Sequence, residues 1–282
     1  MIKFKTDNIS IQGYSHVLVN KECQDCSESW SENSFSGVIV CDGHGGEKYI
    51  RSSKGSNFAC EIGKQTITEF MNTFCRRNIR SKSNIEKQLS QLEGTIIFRW
   101  REKVNEDLTS FPLNEDERFI TLSEGDKKTL EKNPVKAYGT TFIAAVLTNE
   151  YYFVLKLGDG NVNVLYANNS IESPAELHDD QLEFNMTTSL CGSEPDKDFK
   201  HVFNYIDNKN PVKGIILTTD GIVNCFHSIE SYNSLIYNIF EAYSETKNEK
   251  EKIQARTELE EGLHQFSEKG SGDDLSVAII VK

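Results

Sequence analysis

Hydrophobic and polar positions along this chain predict a set of short strands. Residues 36–41 are mostly apolar and β-branched, which is typical of a buried strand. Alternating apolar residues between residues 2 and 20 indicate one or two more strands with one buried face. Apolar runs of the same kind predict strands at residues 139–147, 151–157, 162–166, 214–219 and 275–281. The first two of these runs flank a short turn and predict an antiparallel hairpin.

Other segments carry apolar residues at helical spacing. They predict one or two helices within residues 49–71, where Gly55 and Gly63 weaken the pattern, and a longer helix at residues 84–108. Two more helices are predicted near residues 228–245 and 248–268.

Polar segments join these elements. Residues 27–33 are predicted to be a polar link, and residues 167–210 a long irregular loop across the surface. Residues 109–136 are charged and rich in turn formers, which predicts a segment on the protein surface with a short strand at residues 119–122. Because no repeat or linker interrupts the chain, residues 1–282 are predicted to form a single domain with two layers of strand and several helices.

Acidic residues recur where predicted strands end. Asp42, Asp159 and Asp220 each precede a glycine directly after an apolar run, and Asp273 lies just before the last strand. Neighbouring strands of an antiparallel sheet place the end of one beside the start of the next, so these carboxylates can gather at one rim, and Asp25 can join them. The alternative is that each Asp-Gly is only a hairpin turn, for which this dipeptide is common.

A rim of four or five carboxylates repels itself unless cations neutralise it. Oxygen ligands without clustered Cys and His favour Mg²⁺ or Mn²⁺ over zinc. Two such ions can share a bridging water, lower its pKa and hold a phosphoryl group. His44 stands next to this predicted centre and could protonate a leaving oxygen.

Charge and cysteine content narrow the classes of function. The net charge of −12 disfavours non-specific binding to nucleic acid or to an anionic membrane. Seven cysteines without a secretory signal favour a cytoplasmic protein with reduced thiols. Cys23 and Cys26 have the spacing of half a zinc knuckle, but no second pair follows, which favours a structural role for both.

The order of these motifs resembles that of the metal-dependent protein phosphatases of type 2C. The matching blocks span nearly the whole chain, and the segment at residues 13–25 is similar to a divergent, bacterial-type branch of that family. The blocks are Asp-Gly-His-Gly-Gly at 42–46, Gly-Thr-Thr at 139–141, Gly-Asp-Gly at 158–160, Thr-Asp-Gly at 219–221 and Gly-Ser-Gly-Asp-Asp-Leu-Ser at 270–276.

The resemblance implies an α+β fold, a four-layer α/β/β/α sandwich whose two central antiparallel sheets are flanked by helices. It also implies a serine/threonine protein phosphatase that hydrolyses phosphomonoesters with a water activated by a dinuclear Mg²⁺ or Mn²⁺ centre. The partners implied are a phosphoprotein substrate and a cognate kinase, with no nucleic acid and no membrane.

The resemblance also assigns roles to individual residues. Asp42 would bridge both ions, the Gly43 carbonyl would bind one of them, and His44 would be the general acid. The remaining metal-site residues implied are Asp220 and Asp273 at the second ion, Asp25 through its waters, and Asp159 at a third, looser ion.

Departures from the family pattern leave one alternative open. Many relatives have an arginine before the first acid that binds the substrate phosphate, whereas this chain offers His16 or Lys21. Asn224 stands where another acid is frequent, Gly160 replaces a frequent serine, and Asp274 replaces a frequent asparagine. The alternative function is therefore a catalytically weak or silent phosphatase-like domain that binds and regulates a partner.

Overall fold

Ten strands form two antiparallel five-stranded sheets in the computed structural model, which describes residues 4–74, 82–177 and 188–282. The strands are β1 (Lys5–Ile11), β2 (Cys26–Ser31), β3 (Ser36–Cys41), β4 (Phe142–Leu147), β5 (Tyr151–Leu157), β6 (Asn161–Tyr166), β7 (Ile171–Glu172), β8 (Lys200–Tyr205), β9 (Val212–Thr218) and β10 (Leu275–Val281). One sheet has the order β1-β10-β9-β6-β7, and the other has the order β2-β3-β4-β5-β8.

Helices cover the outer face of each sheet. Helices α2 and α3 pack on the sheet that contains β3, and α8 and α9 pack on the sheet that contains β10. The helices are α1 (Tyr14–Leu18), α2 (Ser52–Phe74), α3 (Lys82–Ser110), α4 (Glu117–Thr121), α5 (Glu124–Lys132), α6 (Pro195–Asp198), α7 (Asp220–Val223), α8 (Ile229–Glu245) and α9 (Glu249–Lys269). No helix in the described ranges is both long and apolar enough to cross a membrane.

The alternation of side chains along β3 shows why the layers form. Val38 and Val40 point into the core between the two sheets, while Ile39 and Cys41 point into the core beneath α2 and α3. Because side chains on a strand alternate between faces, a strand that is apolar on both faces must be covered on both sides. The predicted α/β/β/α sandwich is therefore confirmed.

Two glycines that weakened the helical pattern lie inside the continuous helix α2. A Cβ on Gly55 would lie 2.0 Å from the carbonyl oxygen of Tyr138, and one on Gly63 would lie 2.6 Å from the ring of Phe142. Close packing against Tyr138 and Phe142 of the same chain thus requires glycine at both positions. This requirement outweighs the low helix propensity of glycine.

Residues 2–20 contain one strand of the one or two predicted, because Tyr14–Leu18 form helix α1. Three other sequence predictions of local structure were wrong. Residues 119–122 fall largely in helix α4 rather than in a short strand. The polar link at 27–33 contains strand β2, and the loop at 167–210 contains β7, α6 and β8, while its residues 178–187 lie outside the described ones. Both β2 and β8 are edge strands, which tolerate polar side chains and therefore lack a continuous apolar run.

Candidate active site

Strand pairing brings the predicted acids to one edge of the sandwich. Cys26 and Cys41 are partners in the β2–β3 ladder, so Asp25 and Asp42 lie next to each other where these strands begin and end. In the other sheet, β10 pairs with β9, so Asp273 precedes its strand at the edge where Asp220 follows its own. The stacked sheets bring these two pairs together.

The acids raise one another's pKa. Burial is the main cause of the raised pKa of Asp25, Asp42 and Asp220. Negative charge adds to it: Asp274 acts on Asp25, Asp25 and Asp220 act on Asp42, and Asp159 acts on Asp220. Asp25 is only 6% exposed, and it accepts a hydrogen bond from Thr219 Oγ1 at 2.8 Å.

Positive charge is missing from this cluster. Among the described residues, Asp25, Asp42, Asp220 and Asp273 form no ion pair with a lysine, arginine or histidine. Asp25 is buried, Asp42 and Asp220 are half-buried, and Asp273 is exposed. A buried carboxylate without a cationic partner is costly, and an all-oxygen donor set fits a hard divalent cation.

The same carboxylates do not converge on one point. Within the part of the chain that the structure describes, no three side chains of His, Cys, Asp or Glu stand in an arrangement that could hold a metal ion as they lie. The side chains of Asp42 and Asp220 interact directly, which adds to the raised pKa of Asp42. The donor set fits divalent ions in its chemistry, and metal binding belongs to the proposal below.

The Gly-Thr-Thr motif holds the loop that carries Asp42. The backbone N–H of Thr141 donates to the Asp42 carbonyl oxygen at 2.8 Å, and the Asp42 N–H donates to Thr141 Oγ1 at the same distance. The His44 N–H donates to the carbonyl oxygen of Gly139 at 3.0 Å. A Cβ on Gly139 would lie 2.6 Å from the His44 ring, so glycine is needed for this close approach.

His44 is partly buried against an aromatic ring. Its ring centroid lies 4.8 Å from that of Tyr49 in an edge-to-face contact. Burial lowers the pKa of His44 to about 4, with Lys48 adding to the effect and Asp159 opposing it. At neutral pH the imidazole is therefore uncharged, and it can take up a proton released beside it.

Asp274 anchors the segment that carries the two candidate phosphate ligands. Its Oδ1 accepts hydrogen bonds from the N–H of Gly13 at 2.6 Å and from Nδ1 of His16 at 2.9 Å, and its Oδ2 accepts one from the N–H of Gln24 at 2.6 Å. The Nζ of Lys21 lies 3.4 Å from Nε2 of His16 and 3.3 Å from the carbonyl oxygen of Gly45. His16 and Lys21 therefore lie together beside the glycine loop.

Comparison with models of protein families shows which family the chain belongs to. The sequence model described as "Protein phosphatase 2C" matches residues 12–264. The chain belongs to the protein phosphatase 2C family. Its membership makes it a protein serine/threonine phosphatase by class, as the order of the motifs predicted. No curated protein matches the chain in the sequence search.

Three solved structures have a fold similar to that of this chain. The serine/threonine phosphatase Stp1 from Staphylococcus aureus is 14% identical, with a TM-score of 0.58 over 100% of this chain and 96% of that one. PppA from Pseudomonas aeruginosa, described as a key regulatory component of T6SS, is 12% identical, with a TM-score of 0.58 over 99% and 98% of the two chains. The serine/threonine phosphatase from S. agalactiae is 14% identical, with a TM-score of 0.54 over 99% of each chain.

Within this family member, the remaining predicted residues lie at the same edge. Asp159 is exposed at the end of β5, close enough to Asp220 and His44 to shift the pKa of both. Asn224, which stands where another acid is frequent, donates from Nδ2 to Asp220 Oδ2 at 3.1 Å.

Three residues contribute to the site or to its surroundings in ways that the sequence did not predict. The anchoring role of Asp274 was foreshadowed only by its position beside Asp273. Gln24 lies under the glycine loop, where its Nε2 donates to the His44 carbonyl oxygen at 3.1 Å. Arg118, in helix α4, lines the cavity beside the glycine loop, and no local sequence pattern predicts that position.

Proposed function

We propose that this protein hydrolyses phosphoserine and phosphothreonine in proteins with two Mg²⁺ or Mn²⁺ ions held by its acidic cluster. The observation that carries the proposal is that Asp25, Asp42, Asp220 and Asp273 lie at one edge of the sandwich without a cationic partner among the described residues. A structural cluster of this kind would be stabilised by lysine or arginine, whereas a metal site needs its negative charge.

The ligands divide between the two sheets. Asp42 and the Gly43 carbonyl would bind one ion, Asp42 would also bridge to the other, and Asp220 and Asp273 would complete the second position. Asp25 would hold that ion through water, and Asp159 would serve a third, weaker position. When bound, the ions would lower the pKa of a shared water and offset the charge of the phosphate.

The proposed role of His44 is to move a proton to the leaving oxygen of the serine or threonine. Because its pKa is about 4, His44 is uncharged at neutral pH and would have to gain a proton before it could act as the general acid. Its backbone is fixed to Gly139 and its ring packs on Tyr49, so its position is set before the substrate binds.

The hydrogen bonds of His16 and Lys21 distinguish their proposed roles. Nδ1 of His16 donates to Asp274, which leaves Nε2 as an acceptor that faces the Lys21 ammonium. Lys21 has three N–H groups, of which two have acceptors among the described residues. We therefore assign phosphate binding to Lys21 and its positioning to His16.

The biological setting follows from the same proposal. The substrate would be a phosphoprotein made by a cognate kinase, and the site of action would be the cytoplasm. The alternative is a phosphatase-like domain that binds and regulates a partner, which the missing arginine and Asn224 would favour. Turnover separates the two functions, because only the first of them hydrolyses a phosphate ester.

The test is phosphate release from p-nitrophenyl phosphate and from a phosphothreonine peptide, with Mn²⁺, Mg²⁺ or EDTA. Wild type, Asp42→Asn and Asp220→Asn are compared with Asp207→Asn, which removes an exposed acid before β9, at the opposite end of that strand from Asp220. We expect turnover only with metal, lost in the first two variants and retained in the control.

Absence of turnover in the wild type with every metal would contradict the proposal. If Mn²⁺ then still raised the melting temperature of the wild type and not of Asp42→Asn, the regulatory alternative would be supported, because binding to the folded state stabilises it by mass action.

A further inference from the structure

A cavity of about 670 Å³ opens beside the glycine loop, next to the proposed catalytic centre. One wall is the segment 19–24, the opposite wall is helix α4, and the loop residues Gly45 and Gly46 lie between them. Lys21 and Arg118 bring positive charge to the cavity, and the catalytic proposal above uses only the first of them.

Arg118 is held in place from the protein interior. Asp116 caps the N-terminus of α4, where its Oδ1 accepts hydrogen bonds from the backbone N–H of Arg118 at 3.0 Å and from its Nε at 3.4 Å. The other oxygen of Asp116 accepts a hydrogen bond at 3.1 Å from Nε of Arg51, whose side chain is only 4% exposed. The chain Arg51–Asp116–Arg118 thus fixes a surface cation to the core.

The outer face of this arginine can accept a new partner. Nη1 of Arg118 donates to Glu22 Oε1 at 2.9 Å, and the two side chains are 50% and 54% exposed. Exposed pairs of this kind add little stability, so an incoming carboxylate can replace Glu22. Nη2 of Arg118 makes no hydrogen bond within the described residues, and a guanidinium can bind a carboxylate through two parallel bonds.

Gln24 provides a second, independent sign of a ligand. It is 5% exposed, and its Oε1 is buried without a hydrogen-bond partner in the described structure. Its Nε2 donates to the carbonyl oxygen of His44 and to Ser52, which fixes the orientation of the amide. Buried acceptors are normally paired, so this oxygen is suited to an N–H from outside the chain.

The space in front of Gly45 lies between this acceptor and a donor. A Cβ on Gly45 would be 4.0 Å from Gln24 Oε1 and 3.9 Å from Lys21 Nζ. A peptide group offers an N–H to the first, and the phosphate of the neighbouring residue offers an acceptor to the second, so the chemistry of the space fits a phosphorylated polypeptide.

We propose that this cavity binds the substrate polypeptide next to its phosphorylated residue and that Arg118 selects an acidic side chain there. The inference rests on the proposed phosphatase function, because that function places the phosphorylated residue beside the cavity. Glu22 competes for Arg118 until an acidic substrate binds.

The test compares two phosphothreonine peptides that differ only in having glutamate or glutamine on both sides of the phosphorylated residue. The readout is the ratio of their kcat/KM values with Mn²⁺. We expect wild type to prefer the glutamate peptide about tenfold, as one charged contact allows. Arg118→Ala should reduce the ratio to about one, and Glu22→Gln should increase it. Lys127→Ala removes a cation of the neighbouring helix α5, and it should leave the ratio as in wild type.

Binding separates this inference from the proposed function. Fluorescence anisotropy measures the affinity of both labelled peptides for the metal-free protein and for Arg118→Ala. A preference for glutamate that depends on Arg118, in a protein that turns over neither peptide, would support the cavity and contradict the phosphatase function. Equal affinity and equal kcat/KM for the two peptides, or a preference that Arg118→Ala retains, would overturn the inference.

Discussion

Asp25→Asn is expected to make the metal-free protein more stable, although Asp25 is a proposed site residue. Its carboxylate is 6% exposed, and it lies within electrostatic reach of Asp274 and Asp273. Two like charges about 5 Å apart repel by about 3 kcal/mol at an effective dielectric constant of about 20. Hydrogen bonds from Thr219 and Ser276 stabilise the charged form, each by about 1 kcal/mol. The expected net gain on neutralising Asp25 is therefore about 1–2 kcal/mol.

For a chain of this size, that gain corresponds to a melting temperature higher by about 2–6 °C. The assay is thermal unfolding in EDTA at neutral pH. Glu131→Gln, which neutralises one exposed acid of α5, is the control for net charge. The difference between wild type and Asp25→Asn should shrink as pH falls, because a carboxyl with a raised pKa takes up its proton in the folded state and loses the repulsion. With Mn²⁺ the wild type should gain more than the variant. A variant less stable than wild type in EDTA would refute the reasoning.

The remaining predictions concern the phosphate ligand, a histidine and a glycine. Lys21→Met should raise KM for p-nitrophenyl phosphate by about tenfold through the loss of one charged contact, and an unchanged KM would contradict the assignment. Glu93 accepts from His201 at 2.8 Å and raises the histidine's pKa, so the stability that this pair adds is complete below about pH 6.5 and is lost as pH rises through the folded pKa. The melting temperature of wild type should therefore exceed that of His201→Gln by more at pH 6 than at pH 9, whereas an equal difference would argue against the pair. Gly55→Ala should destabilise the fold by about 1–3 kcal/mol through overpacking, while Gly94→Ala, which meets nothing within 4 Å, should not, as denaturant unfolding would show.

Apolar strands were the part of the fold that could be predicted from sequence. The last strand was predicted at residues 275–281 and is observed at Leu275–Val281, because every one of its side chains is buried. Strand β2 was not predicted, since its serine-rich sequence lies at a sheet edge and only Ser27 and Trp30, which lie on opposite faces, are buried. A strand that is buried along both faces produces a readable pattern, and a strand with one buried residue on each face does not.

The candidate site shows a similar division. Aspartates at strand ends predicted an acidic edge, because neighbouring antiparallel strands place the end of one beside the start of the next. The approach of Arg118 depends on Arg51 binding Asp116, two residues 65 positions apart in the chain. A contact of that kind joins segments that are far apart in the chain, and neither segment contains a pattern that specifies its partner.

The most direct measurement of the central claim is a calorimetric titration of the protein with Mn²⁺. We predict that wild type binds two ions tightly and that Asp42→Asn, which lacks the proposed bridging carboxylate, loses this binding, while Glu131→Gln retains it. Binding of no ion, or binding that is the same in wild type and Asp42→Asn, would contradict the claim that the acidic cluster is a dinuclear metal centre.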